Sequence, residues 1–262
     1  RKINVIQPAD VISTAKGNSE FISEIEDGSG QIIQIKSKMV IAAYGKQNIL
    51  DKKMQRRFVN KRSNLNGVKF HIPLSLLQES FPDEIRIYTN EGLYCGMNRV
   101  SDSDMTVCFL ENRKESKIPS RERLIDVIKS NDYFQKVFSD ESIHYIKTAN
   151  IYGTGNIYFG KKELVENGII MIGDAARVIS PLAGDGIGMA MESAKLLYEI
   201  MSQHKLDAAN YEKIYISYKK KFEKVFNKRL TIAKIIQGII LNKNYSKLAI
   251  GIAGKYPSLL PY

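Results

Sequence analysis

Cysteine and histidine are scarce in this 262-residue chain, two and three copies respectively, and tryptophan is absent. Neither Cys95 nor Cys108 has the spacing or the histidine company of a zinc site, and His144 and His204 have no carboxylate or cysteine at ligand spacing. No metal site is expected. A disulfide framework is excluded as well. The two cysteines fall in an expected hairpin turning at Asp102 and Ser103; if residues 101 and 104 face each other, Cys95 opposes Leu110 and Cys108 opposes Met97. The thiols are then diagonal neighbours, poorly placed for a bridge. Free thiols imply a reducing, cytoplasmic compartment.

Long apolar runs are missing too. Even LTIAKIIQGIIL, residues 230–241, is interrupted by Lys234, Gln237 and Gly238, so no spanning helix is expected. The chain opens on Arg1 with a short mixed segment and not a basic start before an apolar run, so no secretory signal is expected there and the chain is expected to begin inside a larger protein. Acidic residues are outnumbered by basic ones, 28 to 39, for a net charge of +11. The excess gathers in KKKFEKVFNKR, residues 219–229, with no zinc-finger, RNP-like or basic-zipper pattern around it, so nucleic acid is not an expected partner. A solvated helix face is the plainer account of the charge, with a peripheral membrane contact as the alternative.

What is present is a chain able to bury a core, 44% apolar and 26% charged. DVISTAK, SEFISEIE and QIIQIK are β-type, the last two joined through the turn DGSG at residues 27–30. KMVIAA, residues 38–43, is continuously apolar from Met39 and is expected to be a strand covered on both faces. GVKFHIPL, EIRIYTN, GLYCGMNRV and DMTVCFLEN predict an antiparallel sheet. A helix capped by Ser120 should span residues 120–131, then a short helix near Tyr133 to Phe138 and a strand in SIHYIKTAN. Gly168 to Ile172 predicts a buried strand. Gly186 to Gln203 predicts a long helix with Ile187, Met191, Ala194, Leu197 and Met201 inward, and lysine-rich helices follow from Ala208.

Residues 168–190 carry the chemistry. An apolar strand ends in Gly173-Asp174, and an Asp at the carboxyl end of a buried parallel strand faces the crevice where α/β folds bind ligands. Its carboxylate can accept hydrogen bonds from sugar or polyol hydroxyls. Pro181 and the glycines 184, 186 and 188 follow, letting the backbone approach a flat ligand, and the helix that starts there aims its free N–H groups at it.

GDAARVISPLAGDGIGMAMESA resembles the second flavin-binding motif of FAD-dependent oxidoreductases of the aromatic-hydroxylase and geranylgeranyl-reductase type, G-D-A-A, three or four residues, then P-x-x-G-x-G. The match runs through Gly173, Asp174, Ala175, Ala176, Pro181, Gly184 and Gly186. The resemblance implies that Asp174 binds the flavin ribityl chain, that Pro181 lies near the isoalloxazine, and that Gly184, Asp185, Gly186, Ile187 and Gly188 reach the pyrimidine end of the ring. A reduced ring is anionic there, which suits a helix N-terminus. KMVIAAYGKQN is similar to the family's Ala-Asp-Gly segment, with Tyr44 in place of the Asp and only Gly45 and Asn48 fitting.

The resemblance implies a mixed α/β fold: an incomplete FAD-binding Rossmann-like domain (residues 1–60 and 151–203) interleaved with an antiparallel-sheet substrate domain (61–150) and a C-terminal helical region (204–262). It also implies FAD as cofactor and NAD(P)H as reductant. The family's opening G-x-G-x-x-G unit is absent, so a missing N-terminal FAD-binding segment is an expected partner. His71, Tyr94 and Met97 are the candidate substrate contacts on the sheet; for His71 a solvent-facing position beside Lys69 is favoured by the two-residue period. The expected activity is monooxygenation of an apolar or aromatic small molecule. The alternative is reduction of C=C bonds in a prenyl or polyene chain. That subfamily often carries a Tyr-x-Trp-x-Phe-Pro strand, where this chain has Leu93-Tyr94-Cys95-Gly96-Met97. A remnant or partner-binding subunit without catalysis is the third reading.

Overall fold

In a computed structural model the chain describes residues 3–18, 20–79, 81–90, 92–114 and 117–242, with Tyr245, Ser246, Gly251 and Lys255. It begins with strands β1 (Ala9–Lys16), β2 (Phe21–Asp27), β3 (Ile32–Ser37) and β4 (Ile41–Ala42), then the short helix α1 (Ile49–Lys53). Strands β5 (Leu65–Pro73), β6 (Ile85–Asn90), β7 (Leu93–Arg99) and β8 (Asp104–Asn112) follow, with helices α2 (Ser120–Ser130), α3 (Asp132–Gln135) and α4 (Asp140–Thr148). The chain continues through β9 (Tyr152–Thr154), β10 (Val165–Glu166), β11 (Ile169–Met171), α5 (Gly186–Met201) and α6 (Ala208–Ile240). It divides into two compact units, residues 1–61 with 158–234 and residues 62–157 with 235–262.

The first unit holds two small sheets, the meander β1-β2-β3 and the set β10-β11-β4. The 27–30 turn closes as expected: the Asp27 carboxylate accepts from the Ser29 and Gln31 amides. β11 pairs parallel with β4, Ile170 donating to Val40 and Ile172 to Ala42. β11 is fully buried, as its apolar run predicts. β4 is shorter than expected and only half covered, because among the described residues it pairs with β11 alone and Ile41 remains 42% exposed.

Helix α5 forms where the sequence placed it but turns a different face inward. Met189, Ser193, Leu197 and Ile200 are buried, whereas Ile187 and Met191 are 76% and 69% exposed and Ala194 is exposed. The inward face is chosen by close approach to the Gly173 turn, which needs small residues, and not by the largest apolar stripe. Tyr211, Ile214, Tyr215, Tyr218, Phe222 and Phe226 of α6 complete this core, and the Tyr218 hydroxyl donates to the Met171 carbonyl at 2.8 Å.

The second unit is a five-stranded sheet in the order β6-β7-β8-β5-β9. Val68, Phe70, Ile72, Cys95, Met97, Val107 and Phe109 project from one face into a core with Leu124 and Ile128 of α2, Phe134 of α3 and Ile146 of α4. The β7–β8 hairpin differs from expectation by one residue: Cys95 pairs with Phe109 and Gly96 with Cys108. Its loop is Ser101–Ser103, closed by Val100 donating to Asp104. A one-residue slip reverses faces, so the two thiols lie on opposite sides of the sheet; both are free.

Two local expectations are corrected. Residues 140–148 are helix α4 and not a strand, because Ser139 and Ser142 form a reciprocal N-terminal cap and Ile146 is drawn into the core. Helix α2 is preceded by Pro119 and has no side-chain cap; the Ser120 hydroxyl donates instead to buried Glu111.

Candidate flavin-binding cleft

The strand β11 delivers Gly173 and Asp174 into a tight turn at its carboxyl end. Gly173 has φ +58, and a Cβ there would come within 3.2 Å of the Ala190 Cβ on α5. Glycine is thus needed twice over, for the left-handed backbone and for the close helix approach. The Gly173 amide donates to Ser193 Oγ at 2.9 Å, and Ser193 donates onward to the Ala190 carbonyl. Ala176 and Arg177 both return amide hydrogen bonds to the Gly173 carbonyl.

A cleft of about 520 Å³ opens beside this turn, lined by Ala43 and Gly45 after β4, Ile172, Gly173 and Asp174 after β11, and Gly186, Ile187, Ala190 and Met191 of α5. Its size is that of a small-molecule site. Among the described residues no protein donor reaches the Asp174 carboxylate. Burial raises its pKa above the ordinary carboxylate range, and the positive charges of Lys162 and Lys46 oppose that rise. Helix α5 starts with Asp185 at its N-cap position and has no side-chain cap. The Asp185 carboxylate turns instead to Arg229 of α6 at 2.7 Å, and Arg229 also meets Glu192 at 3.1 Å. The first amides of α5 therefore keep their donor capacity toward a ligand.

Of the sequence-predicted residues, the structure brings Gly173, Asp174, Gly186 and Ile187 together on the cleft wall. Ala175 is fully buried behind it. Pro181 starts the exposed turn that ends at Gly184, whose φ of +63 closes the turn. Asp185 and Gly188 are outside the lining set; Asp185 anchors α5, and Gly188 passes close over its carboxylate. His71 is exposed on β5, as its alternation with Phe70 and Ile72 predicts, and Tyr94 is buried on the same face of the sheet. Met97 sits on the opposite, helix-covered face and is completely buried in the core. The three candidate substrate residues are therefore not brought together; 94 and 97 differ by an odd number, which a strand turns to opposite faces.

Behind the cleft lies a polar cluster that sequence reasoning missed. Arg56 is 1% exposed and donates to Asp51 at 2.8 Å, to the Tyr44 hydroxyl at 3.1 Å, to the Ala175 carbonyl at 3.1 Å and to the Glu163 carbonyl at 2.7 Å. Tyr44 itself donates to Asp51, and burial with that carboxylate pushes its hydroxyl pKa up. Lys162, 2% exposed, donates to the Lys46 and Asp174 carbonyls at 2.9 Å each and lies 4.5 Å from the Phe58 ring. Arg56 and Lys162, 106 positions apart, carry no local pattern. The nearest signal was Tyr44, standing where the family has Asp.

No family model matches the chain. Over 116 residues it is 28% identical to a digeranylgeranylglycerophospholipid reductase of Methanosarcina mazei, the match covering 43% of this chain and 27% of that protein. A geranylgeranyl bacteriochlorophyll reductase-like protein of Thermoplasma acidophilum shares the fold with a TM-score of 0.70 at 17% identity, covering 92% of this chain and 60% of that one. A probable FAD-dependent monooxygenase of Pseudomonas aeruginosa matches with a TM-score of 0.61 at 14% identity, over 93% of this chain and 66% of that one. This is the fold of FAD-binding, Rossmann-like oxidoreductases. The chain shares this fold with a geranylgeranyl reductase-like protein and a probable FAD-dependent monooxygenase. It spans about a quarter of the length of the curated relative and three-fifths of the first structural one.

Proposed function

We propose that the cleft holds the ribityl chain and ring of FAD and that the chain is part of an FAD-dependent reductase of C=C bonds in a prenyl or polyene substrate. The observation that carries the cofactor reading is the convergence of the unpartnered Asp174 carboxylate and the uncapped start of α5 on one cleft. These groups fit a flavin: the Asp174 carboxylate would accept from ribityl hydroxyls, and the free α5 amides would offer donors to the part of the ring where negative charge develops. When bound, the flavin supplies the redox chemistry; the chain's residues bind, orient and exclude water. NAD(P)H is the proposed reductant.

The choice of reduction over oxygen insertion, which the lack of a Tyr-x-Trp-x-Phe-Pro strand had favoured, follows the sequence likeness to a reductase at 28% identity. Monooxygenation stays the second reading because the fold is also that of a probable monooxygenase. The ADP half of the cofactor needs more than this cleft, and a further FAD-binding segment is the proposed partner. Its support is the edge of β4, open among the described residues, and the exposed pair Ala194 and Tyr198 on α5, which lie outside the cleft lining and four residues apart on one helix face.

FAD titrated into the chain, alone and with such a segment, is the test of the cofactor reading; Asp174→Ala should weaken binding about tenfold. No binding in either sample sinks it. With a geranylgeranyl lipid supplied, a product gaining two hydrogens without oxygen supports the reductase; a product gaining oxygen overturns it.

A further inference from the structure

The Lys162 ammonium spans the two sides of the cleft. One hydrogen bond goes to the Lys46 carbonyl, in the loop that continues from Ala43 and Gly45, and another to the Asp174 carbonyl, in the turn that follows β11. Its remaining side rests on the Phe58 ring. Among the described residues no carboxylate oxygen contacts it. An ammonium this deeply buried is costly unless its charge is used.

The charges around it come from each neighbouring segment. Arg56 and Asp51 face it from α1 and the turn beyond, Asp174 and Arg177 from the turn after β11. Lys46 adds positive charge near Asp174. Arg56 is committed to Asp51, and Arg177 to Glu223 at 2.9 Å. Among the described residues no carboxylate pairs with Lys162 and no donor reaches the Asp174 carboxylate.

We infer that Lys162 is a positioning residue of the cleft: it ties the loop after β4 to the turn after β11 and supplies the positive charge that keeps Asp174 an ionised acceptor. Its use in cofactor binding rests on the flavin reading; the coupling to Asp174 does not. Burial, reinforced by Arg56, lowers the Lys162 pKa to about 8, while Asp51 and Asp174 oppose the drop. The charge is therefore fully present below that pH and leaves above it, although the neutral amine can still donate to the two carbonyls.

The test reads the two groups directly by carbon NMR in the full chain labelled at aspartate Cγ and lysine Cε. Asp174→Asn and Lys162→Met assign the signals. In Lys162→Met the Asp174 carboxyl should titrate about one unit higher than in the wild type, while Lys162→Arg should hold it near the wild-type value. Reciprocally, in Asp174→Asn the Lys162 signal should titrate below its wild-type position. The second measurement is made in a chain that keeps Lys162, and its signal is equally assigned by its loss in Lys162→Arg, so a poorly folding Lys162→Met does not remove the test. Unchanged titration of both groups overturns the proposal.

FAD binding by the same proteins gives the functional arm. Wild-type affinity should fall several-fold between pH 7 and pH 9 and be flat in Lys162→Met and Lys162→Arg. A chain that binds no FAD at any pH defeats the cofactor reading, and the two NMR shifts still decide the role of Lys162. Binding in Lys162→Met that matches the wild type across that range overturns the role in the cleft.

Discussion

The Gly173 amide and the Ser193 hydroxyl, 2.9 Å apart and both buried, join the Gly-Asp turn to the helix that follows it. Ser193→Ala leaves that amide without an acceptor and away from water. It should cost about 1–3 kcal/mol, read as a lower urea midpoint with an unchanged slope. Ser193→Thr keeps the hydroxyl but adds a methyl beside Ala190 and should recover part of the loss.

Gly173 and Gly184 separate two demands on glycine. Both have left-handed backbone, but a Cβ at Gly184 meets nothing within 4 Å, whereas at Gly173 it meets Ala190. Gly184→Ala should cost about 1–2 kcal/mol from conformation alone. Gly173→Ala should cost more, because the helix must also move. Equal losses in thermal unfolding would show that the Ala190 approach is not tight.

The antiparallel sheet and the Gly-Asp turn were legible because their signals are local: β6, β7 and β8 alternate with a period of two between turn residues, and the motif is contiguous. What stayed hidden depends on partners. α4 looks like a strand because SIHYIKTAN has isoleucines and a threonine; the Ser139 cap and the burial of Ile146 decide otherwise. The face of α5 was misjudged by assigning the widest apolar stripe to the core, when Ser193 and Ala190 are what fit against Gly173. Arg56 and Lys162 gain much of their meaning from the Ala175, Glu163 and Lys46 carbonyls, which lie far away in sequence.

Arg56 links Asp51 to the Ala175 and Glu163 carbonyls from a fully buried position. Arg56→Ala would strand the Asp51 carboxylate, 2% exposed, without its ion partner. A loss of about 3–5 kcal/mol is expected in denaturant unfolding. Arg56→Ala combined with Asp51→Asn should lose less than the single Arg56 change, since the stranded charge is gone.

The pH dependence of Lys162 has a definite sign. Its folded pKa of about 8 lies below the ordinary lysine value of 10.5, so between those limits the unfolded chain binds more protons. The burial penalty is present in full below pH 8 and shrinks as pH rises toward 10.5. Cys95 and Tyr44, whose pKa values burial raises, push stability the other way in alkali. The comparison is therefore wild type minus Lys162→Met: wild type should gain relative to the variant from pH 7.5 to pH 10. A constant difference across that range would mean that Lys162 titrates as an ordinary lysine.

The exposed pair on α5 makes a prediction about assembly. Ala194 is exposed and Tyr198 is 71% exposed, and neither lines the cleft. Replacing both by lysine removes no buried contact within the first unit, so the chain's unfolding free energy should change by less than about 0.5 kcal/mol. If a helix of a further FAD-binding segment packs on this pair, the two new charges would have to be desolvated against it. Association with a supplied segment, measured by titration calorimetry, should weaken at least tenfold in the double variant. Undiminished association would place the segment elsewhere, and the open edge of β4 would then have to account for it without help from α5.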